Sequence, residues 1–263
     1  MPGQHFVLFA HPRSGSSNLF EALQLHPRLS ILEEPFNEGF PRWRPDERRY
    51  RDLVTDEASL DEQVAHMFEH YDGIKLLDYQ LPRELTARML RRADVKVVFL
   101  RRRNLLRSVV SVLVAEHSGL WKKWEQDQPI ERLYHDLPPL DVDEIGERIR
   151  ALATRLDDYD SVIDARPPDT VRKVVYEDLY FAPAAARRTE FDALVSFLGA
   201  EPFDDPRIEQ FLAPETGRIN SPDTYRLIPN AAEIEASCGC DATGWLGDRA
   251  TPQPWEKVPS RRA

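Results

Sequence analysis

The sequence has 263 residues, of which 41% are hydrophobic and 30% are charged, so it suits a globular α/β domain and excludes a disordered chain. Its formal net charge of −10 argues against a sequence-independent nucleic-acid binder, which is normally basic. The same charge repels anionic ligands, so any phosphate site must be a local basic patch.

The two cysteines, Cys238 and Cys240, are too few for a structural zinc site or a disulfide framework. The N-terminus lacks the pattern of a signal peptide, and the chain has no run of about 18 apolar residues. We therefore expect a cytoplasmic protein without a membrane span.

The start of the chain is predicted to form a strand, a tight loop and a helix. A short apolar run at 6–10 predicts a strand, 11–17 has loop composition, and a helical pattern begins at Asn18 and stops at His26-Pro27. A second apolar run is Ile31-Leu32, and the Arg-rich stretch from Pro41 to Arg51 predicts a surface loop. Further predictions here are a helix at 60–70, a strand at 73–77 and a helix at 81–92.

The run VKVVFL at 95–100 is the best candidate for a buried strand, and it leads into three arginines and an amphipathic helix from Leu105. Further predictions are a helix at 141–156, a strand at 171–176, a helix at 189–198 closed by Gly199, and loops with short helices after Pro202. Strands that alternate with helices predict a parallel sheet covered on both faces. Ligands of such folds bind at the carboxyl ends of the strands.

The loop after the first strand, HPRSGSSN, has the composition of an anion site. The N–H groups at a helix N-terminus bind phosphate or sulfate, Gly15 allows close approach of the backbone, and Arg13 adds a fork of charged donors. The side chains of Ser14, Ser16 and Ser17 provide hydroxyl donors. The motif G-x-x-x-x-G-K-[ST] is missing, which weakens a kinase or ATPase interpretation. A plain helix cap is the alternative.

The second loop contains Arg101, Arg102 and Arg103, and the following helix carries Ser108 and Ser111. Adjacent cations repel one another unless an anion lies between them, and an arginine fork with a hydroxyl suits a terminal phosphate. A solvated run of charges is the alternative.

The two loops in this order resemble the 5′-phosphosulfate loop and the 3′-phosphate site of sulfotransferases that use 3′-phosphoadenosine 5′-phosphosulfate (PAPS). The similarity is greatest to bacterial carbohydrate sulfotransferases of the trehalose and nodulation-factor type. Supporting matches between Phe6 and about Gly199 are EEPFN, GIKL, VVFLRRRNLLRSVVS and the segment from Val174 to Gly199.

This resemblance implies a three-layer, P-loop-like α/β fold with a central parallel sheet flanked by helices. It implies a single sulfotransferase domain over 1–263, with a loop-rich part from about 202 that wraps on the domain. The co-substrate would be PAPS, the product 3′-phosphoadenosine 5′-phosphate (PAP), and no metal is implied.

The resemblance also implies roles for individual residues. The segment Arg13 to Asn18 would bind the 5′-phosphate and the sulfuryl group, while Arg103 and Ser111 would bind the 3′-phosphate, with Arg101 and Arg102 as alternatives to Arg103. The cofactor-binding residues are then Arg13, Ser14, Gly15, Ser16, Ser17, Asn18, Arg103, Ser111 and, late in the chain, Arg218.

The acceptor hydroxyl must lose a proton, and the resemblance places a glutamate base after the first helix. We prefer Glu34 to Glu33. Lys75 would contact the bridging oxygen or the acceptor, although a surface lysine at a strand end is equally consistent with the sequence. Residues expected to line the acceptor site are Glu33, Phe36, His117 and Trp121.

The expected partner is a small-molecule or glycan acceptor, such as a sugar, a glycolipid or a secondary metabolite. We expect no binding to nucleic acid. The sequence leaves the oligomeric state open. Two alternatives compete with the sulfotransferase hypothesis: a nucleotide kinase on a related P-loop fold, and a catalytically inert protein that binds PAPS or PAP.

Overall fold

The computed structural model of the protein describes residues 5–38, 50–121, 134, 136–213 and 222–247. The chain divides into two units, the first made of Met1–Arg101 and Asp157–Thr216, the second of Arg102–Leu156 and Gly217–Ala263. Arg218, predicted to bind the nucleotide, lies outside the described residues, as does most of the predicted loop from Pro41 to Arg51.

A five-stranded parallel sheet forms the centre of the first unit, in the order β2-β3-β1-β4-β5. The strands are β1 His5–Ala10, β2 Ile31–Glu33, β3 Gly73–Leu77, β4 Val95–Arg101 and β5 Val171–Val175. The central strands are buried along nearly their whole length, which explains why they read as continuous apolar runs rather than as alternating patterns. The prediction of a central parallel sheet is confirmed.

The helices follow the predicted alternation. They are α1 Ser16–Gln24, α2 Tyr50–Leu53, α3 Glu57–Phe68, α4 Arg83–Arg91, α5 Leu105–Ser118, α6 Val142–Asp164, α7 Tyr176–Tyr180, α8 Ala184–Phe197, α9 Arg207–Leu212, α10 Pro222–Tyr225 and α11 Ala231–Cys238. None of the helices in the described part of the chain is long and apolar enough to cross a membrane.

Both faces of the sheet are covered, as a three-layer fold requires. On one face, Phe6 and Leu8 of β1 belong to an apolar cluster with Leu19 of α1 and Phe191 of α8. On the other face, the ring of Phe9 packs 5.4 Å from Phe99 and edge-on, 5.0 Å from Tyr159 of α6. The alternating inward and outward residues of β1 therefore contact different helices.

Several element boundaries differ from the sequence prediction. Helix α6 continues past Leu156 because Tyr159 and Ile163 keep the helical spacing of buried residues. Helix α8 begins at Ala184 rather than Thr189, since the intervening alanines and arginines are strong helix formers. Tyr50 and Arg51, predicted as loop, belong to α2.

Candidate functional site

The loop after β1 is shaped by two residues with left-handed backbone, Arg13 at φ 64° and Gly15 at φ 87°. It leaves the sheet at Ala10, which is paired with Leu77 of β3 and Leu100 of β4, and enters α1 at Ser16. A left-handed arginine is strained by roughly 1–2 kcal/mol and persists only where its surroundings determine it. Such residues cluster at functional sites, so Arg13 marks this loop as a candidate anion site.

Gly15 is required for a reason that the sequence did not reveal. A Cβ atom at this position would lie 2.7 Å from Cε2 of Tyr180 and 2.8 Å from Cδ2 of Tyr176. The hydroxyl of Tyr180 also donates a hydrogen bond of 2.6 Å to the carbonyl of Gly15. The two tyrosines of the YEDLY segment therefore buttress the loop, and only a glycine leaves room for their rings.

Replacing Gly15 with alanine is expected to cost more stability than the same change at Gly199. Both glycines have a left-handed backbone, with φ of 87° and 84°, but nothing lies within 4 Å of a Cβ at Gly199. Gly199→Ala should cost about 1–2 kcal/mol of backbone strain, and Gly15→Ala about 1–3 kcal/mol in addition for the overlap with the tyrosines. Urea unfolding of both variants measures this difference; equal losses would show that the tyrosines move aside freely.

The serines of the loop have different roles. Ser14 is buried, and its hydroxyl donates to the carbonyl of His11 at 2.6 Å, so it holds the loop itself. Ser16 is buried, Ser17 and Asn18 are partly buried, and all three form the first turn of α1. Among the described residues no side chain caps α1, so the N–H groups of its first turn are not consumed by a cap.

His11 ties the start of the loop to the end of β3. Its Nδ1 lies 3.2 Å from Oδ2 of Asp78, and both side chains are buried. The N–H of Asp78 in turn donates to the carbonyl of Ala10 at 3.0 Å. This pair of contacts joins the carboxyl ends of two neighbouring strands.

Lys75 is the most deeply buried charged group of the candidate site. Its side chain is 0% exposed, which excludes the surface lysine considered from the sequence. Its Nζ lies 2.8 Å from Oε1 of Glu34, 3.1 Å from Oε1 of Glu33 and 2.9 Å from Oγ of Ser17. Burial lowers the pKa of Lys75, but the charges and hydrogen bonds of Glu34 and Glu33 outweigh it, so the net pKa is raised and Lys75 stays positive.

Glu34 follows directly after β2 in the left-handed conformation, at φ 49°. Besides the contact with Lys75, its Oε2 accepts hydrogen bonds from Nδ2 of Asn37 at 2.6 Å and from Nε2 of Gln80 at 2.9 Å. The carboxylate is thus held in one place by three side chains. Asn37 stands in the EEPFN match, but no role of its own was predicted for it. Gln80 was not identified, because it is 46 residues from Glu34 and shares no local pattern with it.

The negative charge of the Glu34 carboxylate affects the pKa of the neighbouring Tyr79. Burial and then the charge of Glu34 raise the pKa of Tyr79 to about 12, although nearly half of its side chain is exposed. Its hydroxyl accepts a hydrogen bond of 3.3 Å from Nδ2 of Asn37. Tyr79 therefore lies at the solvent side of the Glu34 carboxylate.

Arg101, one of the arginines after the predicted strand, is the last residue of β4. Its guanidinium is ion-paired with Asp160 and lies over the ring of Phe99, 5.5 Å from the centroid. Burial lowers the pKa of Arg101 to about 10, against the charges of Asp157 and Asp164, which raise it. The carboxylate of Asp160 balances this charge within the first unit, so Arg101 does not require a bound anion.

The second unit contains Arg102, Arg103 and α5. Asn104 caps this helix by accepting from the N–H of Arg107 at 2.8 Å, and the N–H of Leu106 donates to the carbonyl of Thr243 at 2.9 Å. The guanidinium of Arg107 donates to the carbonyls of Leu246 and Gly247. The start of α5 is therefore closed by its own cap and by the segment 243–247.

The remaining predicted site residues differ in how far they are buried and in the unit to which they belong. Phe36 is fully buried in the first unit. In the second unit Arg103 is partly buried, Ser111 is buried on α5, and His117 and Trp121 are exposed at the end of that helix and just beyond it. The structure thus brings Glu33, Glu34, Lys75 and Ser17 together within the first unit.

Known proteins are similar to this chain along most of its length. Nodulation protein H of Rhizobium meliloti (strain 1021) is 27% identical over 209 residues, which cover 76% of this chain and 79% of that protein. Nodulation protein H of Rhizobium tropici is 29% identical over 210 residues, covering 74% of this chain and 75% of its own length. No family model matches the sequence.

Two solved structures are also similar. A sulfotransferase from Alicyclobacillus acidocaldarius is 18% identical with a TM-score of 0.44, and the match covers 88% of this chain and 94% of that one. A mouse sulfotransferase complexed with PAP is 14% identical with a TM-score of 0.42, covering 80% and 62%.

Over about three quarters of its length this chain is thus similar in sequence to the two rhizobial nodulation proteins, at 27% and 29% identity.

Proposed function

We propose that this protein transfers the sulfuryl group of PAPS to a hydroxyl of a sugar, a glycolipid or a secondary metabolite and releases PAP. The observation that carries the proposal is the loop between β1 and α1, with Arg13 and Gly15 in left-handed backbone ahead of an uncapped helix start among the described residues. Donors of this kind, fixed before a ligand arrives, suit a phosphosulfate group.

The proposed reaction is an in-line displacement at sulfur. The bond from sulfur to the 5′-phosphate oxygen breaks as a bond to the acceptor oxygen forms, and negative charge builds on the leaving oxygen. Arg13 and the N–H groups at the start of α1 would stabilise that charge. Nζ of Lys75 lies 2.9 Å from Oγ of Ser17 and would hold this serine in place, while the charge of the lysine is balanced by Glu33 and Glu34.

The proton of the acceptor hydroxyl would pass to Glu34. The buried, positively charged Lys75 at 2.8 Å favours the ionised carboxylate, which is the form that accepts a proton. The hydrogen bonds from Asn37 and Gln80 hold the carboxylate in a fixed orientation, as a general base requires. Glu33 also contacts Nζ of Lys75 and is the alternative base. Its side chain is 18% exposed.

The 3′-phosphate is assigned to Arg103 and Ser111, which the family resemblance implies. The balanced charge of Arg101 supports this choice, because Arg101 is already paired with Asp160. Glu33, His117 and Trp121 are each proposed to contact the acceptor, and Arg218 the nucleotide, whereas the fully buried Phe36 is not proposed as a contact.

Thermal or urea unfolding with PAP, ATP and AMP tests the nucleotide assignment without knowledge of the acceptor. A hundredfold excess of PAP over its dissociation constant should stabilise the native protein by about 2.7 kcal/mol, whereas ATP and AMP at the same concentration should do much less. Arg13→Ala should remove most of the effect of PAP. Equal stabilisation by ATP would instead favour the nucleotide kinase, and no response to PAP would refute the proposal.

A further inference from the structure

A second cluster of potential ligands lies at the end of α3, outside the residues discussed so far. His66, Glu69 and His70 each offer one ligand atom, and these atoms lie within 4.8 Å of one another. The backbone stays helical beyond α3, since the N–H of Glu69 donates to the carbonyl of Ala65. The three side chains therefore occupy positions i, i+3 and i+4 of one helical face, the spacing at which paired histidines chelate a metal ion.

Tyr50 gives one of these histidines a fixed orientation. Its side chain is 6% exposed, and its hydroxyl lies 3.2 Å from Nδ1 of His66. In the tautomer with the proton on Nδ1, this nitrogen donates to the tyrosine oxygen, and Nε2 of His66 can coordinate a metal ion. Metal-binding histidines are typically held through their second nitrogen in this way.

We propose that His66, Glu69 and His70 bind one divalent transition-metal ion of the zinc class, which fastens the end of α3 to α2 through Tyr50. Two imidazoles and a carboxylate favour Zn²⁺, Co²⁺, Ni²⁺ or Cu²⁺ over Mg²⁺ or Ca²⁺, which prefer oxygen ligands. Bonds of about 2.1 Å need ligand atoms roughly 3.4 Å apart in a tetrahedral site, a small adjustment for Glu69 and His70, which are exposed.

The position of the cluster gives the ion a structural role. It precedes β3, which begins at Gly73, and so lies toward the amino ends of the strands. The loop that contains Arg13 follows the carboxyl end of β1, at the opposite edge of the parallel sheet. Carbonyls at the end of α3 add a partial negative charge that favours a cation there. The proposal goes beyond the sulfotransferase reaction and does not depend on it.

Titration of the untagged, metal-free full chain with Zn²⁺ alone, followed by calorimetry and by the visible spectrum of Co²⁺, tests the site. We expect one ion per chain, a rise in melting temperature that a chelator reverses, and no response to Mg²⁺. His70→Ala should abolish stoichiometric binding. His117→Ala, which removes an exposed histidine from α5, should leave it unchanged. Tyr50→Phe should weaken binding by about tenfold with all three ligands present.

Two results would overturn the proposal. One is the absence of saturable binding of Zn²⁺ and Co²⁺ by the wild-type chain at micromolar protein. The other is undiminished one-to-one binding by a folded His70→Ala variant, which would place the ion elsewhere. The melting curve of His70→Ala without metal establishes that this exposed substitution leaves the fold intact.

Discussion

Lys75→Met is expected to lower the free energy of unfolding by about 3–5 kcal/mol at neutral pH, because it leaves Glu33 and Glu34 without their buried positive partner. Methionine fills most of the space of the lysine stem, so the loss reports the charge rather than a cavity. Urea unfolding measures the change. The expected loss is large because Lys75 has no access to solvent.

Two controls separate the buried ion pair from a general effect of removing charge. Arg88→Met removes a guanidinium that is paired with Asp61 and Glu57 but is 40% exposed, and should cost only about 0–1 kcal/mol. Adding Glu33→Gln and Glu34→Gln to Lys75→Met should restore part of the stability, since the uncompensated charges are gone. If Lys75→Met lost no more stability than Arg88→Met, the result would contradict the assignment of Lys75 as the buried partner of Glu33 and Glu34.

The raised pKa of Lys75 gives this contribution a defined pH window. A lysine whose pKa is higher in the folded than in the unfolded protein contributes fully below the ordinary value of 10.5, and the contribution is lost as the pH rises through the folded value. The difference in stability between wild type and Lys75→Met should therefore be constant near neutral pH and shrink only in strong alkali.

Glu34→Gln is expected to reduce turnover by about 10²–10⁴-fold on an acceptor hydroxyl that supports the reaction, while the affinity for PAP stays close to that of wild type. Glutamine keeps the size of the side chain and can still accept hydrogen bonds from Asn37 and Gln80. It cannot take up the acceptor proton. The release of PAP from PAPS, measured with a panel of sugar and glycolipid acceptors, follows the reaction.

Glu33→Gln is the matched control, because Oε1 of Glu33 lies 3.1 Å from Nζ of the same Lys75 and this variant removes that second carboxylate. If Glu34 is the base, Glu33→Gln should retain most of the turnover. A large loss for Glu33→Gln with normal turnover for Glu34→Gln would assign the base to Glu33. Retention of turnover by both variants would refute a glutamate base in this cluster.

The strands and the loops between them were predictable from the sequence because their signals are local. The apolar runs at 6–10 and 95–100 correspond to β1 and β4, and a buried parallel strand needs no partner residue to be recognised. The glycine and serines after β1 likewise predicted a tight turn into a helix. The end of α6 was less predictable, since tertiary packing extends this helix beyond its strongest pattern.

The sequence by itself determined the α/β class and the loop between β1 and α1, because each depends on neighbouring residues read in order. Only the tertiary structure decided that Lys75 is buried between two glutamates, that Tyr176 and Tyr180 require Gly15, and that Arg101 is paired with Asp160. These contacts join residues from different strands and helices. Their energies depend on burial and distance, which a linear pattern does not contain.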